Sequence, residues 1–257
     1  MPASYAHYRF GKLLLPRLPA DVRQCIGRFR RMYDLGLQGP DIFYYAPPIP
    51  GTAVGKLGKQ YHRQSGRDFF TAANAAAETE AARAYLYGLL AHYCLDTACH
   101  PFVNRMAERG EAAHVPLEAE FERYLLALDG VAEPHRYDHS RFLKVTRGES
   151  MTVSAFYPPA TGMEVHGSVR AMAFGLKFLA GKNREPREKL LKKLSPTLCD
   201  FFIPSEPVTA WARMDSELLA RFNRALKRCP ELLEQLRSGE PLGEDFAFDF
   251  SGRRGGS

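Results

Sequence analysis

An all-α fold is predicted by three features of the sequence. Apolar residues in the best-defined segments recur at helical rather than alternating spacing, the longest segment consists almost wholly of good helix formers, and Gly and Pro gather between segments. No internal repeat is evident. With 257 residues, 45% of them hydrophobic, the chain suffices for one sizeable core, so a single multi-helix domain over 1–240 is expected.

In chain order, a first helix is expected around 21–34. The longest run, TAANAAAETEAARAYLYGLLAHYCLDTAC at 71–99, contains no Pro and a single Gly, Gly88. Its end is predicted at Pro101, which disfavours helical geometry in the residue before it. PLEAEFERYLLALDG opens the next helix, with Pro116 suited to a first turn and Gly130 to the far end. Further helices are expected over 164–181, 186–202 and 211–236. The last carries an apolar stripe with charge on its other faces, a pattern that packs a helix on a core more often than on a membrane. The connections QGPDIFYYAPPIPG, FYPPATG and IPSEP are rich in Pro and Gly. The tail within 241–257, GEDFAFDFSGRRGGS, reads as a flexible, loosely held end.

The formal charge is +6, yet acids and bases are interspersed and no Lys/Arg block runs longer than three. A basic surface of this kind suits phosphorylated or anionic-lipid substrates; nucleic acid enters only as a substrate. The first residues, MPASYAHYRFGKLLLPRLP, hold too short an apolar run for a signal-peptide core, because Pro16 and Arg17 break it. Nothing approaches the roughly 18 consecutive apolar residues of a membrane span. The cysteines, Cys25, Cys94, Cys99, Cys199 and Cys229, are odd in number and lack CxxC spacing. These features favour a reducing, cytoplasmic setting.

The stretch HYCLDTACHP sets His92, Asp96 and His100 four residues apart, on one side of a helix and one turn above another. A pair of this kind says little alone: with 8 His and 29 acids in the chain, H-x-x-x-[DE] is expected about once by chance, and it occurs at His92/Asp96 and His114/Glu118. The full series is more specific. It runs His7, Asp41, His62, His92, Asp96, His100, His114 and Glu118, all in the first half of the chain.

In type and order this series resembles the zinc-dependent phospholipases C of bacteria and, more distantly, the fungal single-strand zinc nucleases. The resemblance implies an all-α, phospholipase C-like fold binding two or three zinc ions. It implies that His62, His92 and Asp96 hold one zinc, that His100, His114 and Glu118 hold a second, and that His7 and Asp96 help to hold a third. Asp41 becomes a carboxylate near the first zinc, either a ligand or the base that orients the attacking water. Neutral imidazoles and carboxylates suit zinc, and a position left to water keeps a site catalytic.

Three departures from the family stand out. His100 follows Asp96 by only four residues, where relatives space the pair further. The relatives use an N-terminal Trp at the third zinc, whereas the only tryptophan here is Trp211; removal of Met1 would offer the Pro2 amine instead, since an α-amine titrating near ~8 can bind metal. The relatives are exported.

The expected activity is hydrolysis of a phosphoric ester, with metal-bound water attacking a phosphodiester, a phospholipid head group being one substrate. A nuclease or nucleotidase using the same zinc cluster is the nearest alternative. A non-catalytic helical metal-binding protein is the other. The histidine-aspartate phosphohydrolases are disfavoured, because no His is followed directly by Asp. His135 and His139 in HRYDHS are expected in a solvated loop, His166 in packing, and Cys94 and Cys99 as buried helix cysteines. Phe43, Tyr44 and Tyr45, just after Asp41, are read as core packing, or as rings at a substrate entrance that could receive a cationic head group or stack on a base.

Overall fold

The protein is described by a computed structural model over residues 4–46, 54–181, 183–194 and 196–254. Its helices follow in the order α1 (Ser4–Leu14), α2 (Ala20–Arg28), α3 (Arg30–Gly36), α4 (Val54–His62), α5 (Gly66–Ala76), α6 (Glu80–Glu108), α7 (His114–Leu128), α8 (Arg147–Ser154), α9 (Gly162–Leu179), α10 (Arg184–Leu194), α11 (Pro196–Cys199) and α12 (Ala212–Arg237). Among the described residues there is no strand beyond one isolated bridge between Phe248 and Arg254. Among the same residues no helix is long and apolar enough to cross a membrane.

α6 is the axis of the molecule and meets α1, α2, α3, α5, α7, α8 and α12. From Ala84 to Asp96 it is buried almost all round, which is what an apolar helix without a polar face requires. Gly88 is explained here. A Cβ on Gly88 would lie 2.2 Å from the Tyr33 carbonyl oxygen, and a Cβ on Gly36 2.2 Å from that of Tyr85. The two glycines let α3 and α6 cross backbone to backbone.

The run expected over 71–99 is two helices. The break falls at Ala77–Thr79, where the Thr79 hydroxyl accepts a bond from the Ala82 N–H and caps α6. At the other end α6 continues through Pro101 to Glu108. The proline packs on Gly252, whose φ of +72° and missing Cβ let the chain approach Pro101 and the Thr97 carbonyl. The helix expected at 21–34 is likewise divided at Phe29, and 186–202 is shared between α10 and α11. α9 and α12 lie close to their expected ranges, and α12 packs on α6. Helices α1, α4 and α8 were not predicted.

The tail expected to be loosely held is instead packed into the core. Phe246 and Phe250 are fully buried, and Tyr93 Oη donates to the carbonyls of Asp245 and Phe248 at 3.0 Å each. Phe250 N–H donates to the His62 carbonyl at 3.1 Å. Two aromatics four residues apart outweigh the charged, Gly-rich surroundings that suggested a free end. His139 also departs from expectation. It is buried rather than solvated, with Nδ1 3.1 Å from Ser4 Oγ and 3.5 Å from Glu122 Oε2. The Glu122 carboxylate accepts from the Tyr5 and Ala6 N–H groups and so anchors the start of α1. His166 bonds Ser150 Oγ at 3.2 Å, and Cys94 is buried. The proposed amine ligand, Pro2, lies outside the described residues.

Candidate metal centre

His92, Asp96 and His100 stand on consecutive turns of α6, all buried. Around this row the fold gathers His7 from α1, Asp41 from a 3₁₀ turn (Gly39–Tyr45), His62 from the last position of α4, and His114 and Glu118 from the start of α7. Ligand-type atoms fall into three groups, each within 4.8 Å: His7, Asp41 and His92; His62, His92 and Asp96; His100, His114 and Glu118. All eight residues singled out in the sequence are thus brought together. The first of these groups joins His7 to Asp41 and His92, in addition to its approach to Asp96.

Asp96 lies between the groups. Its Oδ1 is 3.2 Å from His7 Nε2, and its Oδ2 is 3.2 Å from His92 Nε2 and 3.8 Å from His62 Nε2. Asp41 Oδ1 approaches His62 Nε2 to 2.9 Å. Glu118 Oε1 is 3.3 Å from His100 Nε2 and 3.1 Å from His114 Nε2.

The far nitrogens explain why the near ones converge. Nδ1 of His62 faces the Gly58 carbonyl at 2.6 Å, that of His92 the Leu37 carbonyl at 3.0 Å, and that of His100 the Phe250 carbonyl at 2.9 Å. A carbonyl oxygen only accepts, so Nδ1–H donates and Nε2 is the nitrogen that faces the centre, carrying the lone pair when the imidazole is neutral. His114 Nδ1 is held in the same way by Asn104 Oδ1 at 3.1 Å. Asn104 was missed in the sequence, although it continues the four-residue row from His100. The carbonyls of Leu37, Gly58 and Phe250 carry no side-chain signal. Gly39 completes the support: its φ is +49°, and a Cβ there would strike the His92 ring at 2.7 Å.

Whether these residues fit a metal can be tested on the polar atoms themselves. Asp41 Oδ1, His62 Nε2, His92 Nε2, Asp96 Oδ2, Glu118 Oε2 and His7 Nδ1 are buried and lack a hydrogen-bond partner among the described residues. Each such atom costs roughly 1–3 kcal/mol when left unsatisfied. A cation among the lone pairs removes that cost, and imidazole with carboxylate is a donor set that suits zinc.

The charges are mutually held. Burial would raise the Asp96 carboxyl, but His100, His92 and His7 keep it well below the usual carboxylate range; Asp41 is likewise lowered against its burial, with His62 and His92 contributing to the shift. Against its own burial, Glu118 is held down to about 2 by His100 and His114. His100, also buried, is pushed up to about 10 by Asp96 and Glu118.

A cleft of about 1010 Å³ opens onto this centre, with His62, His100 and His114 at its floor. The three aromatics after Asp41 divide between the two expected roles. Phe43 is core, whereas Tyr44 and Tyr45 line the cleft, Tyr44 half exposed with its ring 5.2 Å from that of His62.

The sequence model of the zinc-dependent phospholipase C family matches residues 6–159, more than half of the chain and all eight residues of the centre. No curated protein and no solved structure matches.

Proposed function

Because the chain belongs to the zinc-dependent phospholipase C family, we propose that it is a zinc-dependent phosphoric-ester hydrolase of the phospholipase C type, acting on a phosphodiester such as a phospholipid. The observation that carries this reading is the set of six buried ligand-type atoms without hydrogen-bond partners, gathered behind a substrate-sized cleft that His62, His100 and His114 line. Zinc bound there supplies a water acidified toward neutrality and positive charge for the phosphoryl oxygens. His62, His92 and Asp96 hold one ion, and His100, His114 and Glu118 a second. His7 with Asp96 holds a third, giving two or three ions per chain.

Asp41 has the separate task. Its carboxyl is ionised throughout the neutral range and, beside His62, would accept a hydrogen bond from the attacking water and orient it. The 3₁₀ turn fixes its Oδ1 against His62 rather than leaving it on a mobile loop. The carbonyls behind His62, His92 and His100 keep the imidazoles aimed. Tyr44 and Phe178 give the cleft an apolar wall for the organic part of the ester.

The test is metal content per chain by elemental mass spectrometry, alongside turnover of a phosphocholine ester and of single-stranded DNA. Two or three zinc ions, reduced in His92→Ala, with hydrolysis of the ester, is the expected result. Cleavage of DNA alone would move the substrate to nucleic acid. A metal content near zero after zinc is offered would refute the reading.

A further inference from the structure

One wall of the cleft is built beyond the matched region, by α9, α10 and α11. The start of α10 is fixed to the body of the protein. Arg184 is buried, donates to the carbonyls of His135 at 2.9 Å and Ile203 at 2.6 Å, and lies over the Phe202 ring. The face that α10 turns outward is therefore held outward. On it Leu190 is 55% exposed, between the exposed Lys189 and Lys192–Lys193. The acids of this helix are already taken, Glu185 by Arg136 and Glu188 by Arg184. The three lysines pair with no described acid.

The apolar groups on this face run into the cleft. Phe174 on α9 is 72% exposed and stacks on Phe178 with 6.4 Å between ring centroids. Phe178, Leu191 and Leu198 line the cleft, and Leu198 is itself 46% exposed. An apolar path thus leads from the outer surface to the floor that holds His62, His100 and His114.

We propose that this face, α10 with Phe174 and Leu198, docks the protein on an anionic lipid bilayer, with the cleft opening against the membrane. Exposed Phe and Leu enter the boundary between head groups and acyl chains, while lysines beside them are drawn to the negative surface. A second copy packed face to face would cover the apolar residues but set these lysines against their own like charges, since the acids of this face are already paired. The inference rests on the phospholipase reading for its purpose, yet docking is measured without turnover, so the two can fail separately.

The experiment is sedimentation of the zinc-loaded protein with vesicles of phosphatidylcholine alone and of phosphatidylcholine mixed with phosphatidylglycerol. Binding to the mixed vesicles, weaker to the neutral ones and loosened by salt, is expected. Each lysine contributes roughly fivefold, so the triple variant K189Q/K192Q/K193Q weakens partitioning roughly a hundredfold. The double variant F174S/L190S weakens it by at least about tenfold. Both variants hydrolyse a short, monomeric, water-soluble ester like the unmodified protein, which shows them folded. Absence of binding to mixed vesicles at low salt would overturn the proposal, as would binding undiminished in the triple variant. So would a dimer dispersed by F174S/L190S in a protein that ignores vesicles, which assigns the face to a second copy. Vesicle binding without hydrolysis of any ester would leave the docking face standing and refute the activity.

Discussion

Replacing Gly88 by Ala sets two effects against each other whose magnitudes can be compared. In an ordinary helix interior the change stabilises by about 1 kcal/mol, because Ala loses less backbone freedom than Gly. Here the added methyl would sit 2.2 Å from the Tyr33 carbonyl oxygen and 2.9 Å from the Leu37 nitrogen. Ordinary contact needs roughly 3.5 Å, so α3 must retreat by about 1 Å. Overpacking costs about 1–3 kcal/mol, and main-chain atoms, which cannot rotate aside, put this case near the upper end. The net expectation is a loss of about 2 kcal/mol. At about 2–4 °C per kcal/mol for a chain of this size, the melting temperature falls by about 4–8 °C in calorimetry. The Leu37 carbonyl that orients His92 moves with α3, so zinc retention falls as well. Gly36→Ala wedges the same crossing, and the double variant should lose less than the sum of the two. A melting temperature that rises by 2–4 °C in Gly88→Ala, the helix-propensity effect alone, would refute the close crossing.

Asp41→Asn keeps the size of the side chain but removes the carboxylate; turnover should fall by ~10²–10⁴-fold while metal content by mass spectrometry is largely retained, and unchanged turnover would remove Asp41 from the reaction. Asn104→Ala leaves His114 Nδ1 without its partner and should weaken one zinc by about 10–100-fold in a chelator competition, with the other metal steps unmoved. Asp215, buried and close to Glu120, has its carboxyl pushed up to about 7, by burial first and by the Glu120 charge second, against the pull of Arg123. The folded state thus holds a proton that the unfolded state releases near ~4, so this group lowers stability as pH rises from about 4 to about 7, after which the loss is complete. Asp215→Asn should therefore raise the melting temperature at pH 8 and not at pH 4; an equal effect at both would show that the charge is not the cause.

The grouping of the eight side chains was legible in the type and order of the whole series, not in the pairs one helical turn apart, since such a pair arises about once by chance in this composition. The limits of the helices were less legible. Ala77 lies within a run of good helix formers, and only the Thr79 cap marks the break. Pro101 obeys a local rule that tertiary packing overrides, since Gly252 fits against its ring. His139 was misread for a similar reason: its polar neighbours in sequence say nothing of Ser4 and Glu122, which enclose it from elsewhere in the chain. The aromatics of the tail were visible, but their partners Phe70 and Tyr93 are far away in sequence.

The Phe250 carbonyl lies 150 residues beyond the imidazole that it orients. On a ribosome adding about 5–20 residues per second, His100 waits on the order of ten seconds for that partner. The other ligand side chains, complete by Glu118, have emerged by then. The orientation of His100 is thus completed only when the aromatic tail arrives, whereas Gly58, Leu37 and Asn104, which orient His62, His92 and His114, are already present.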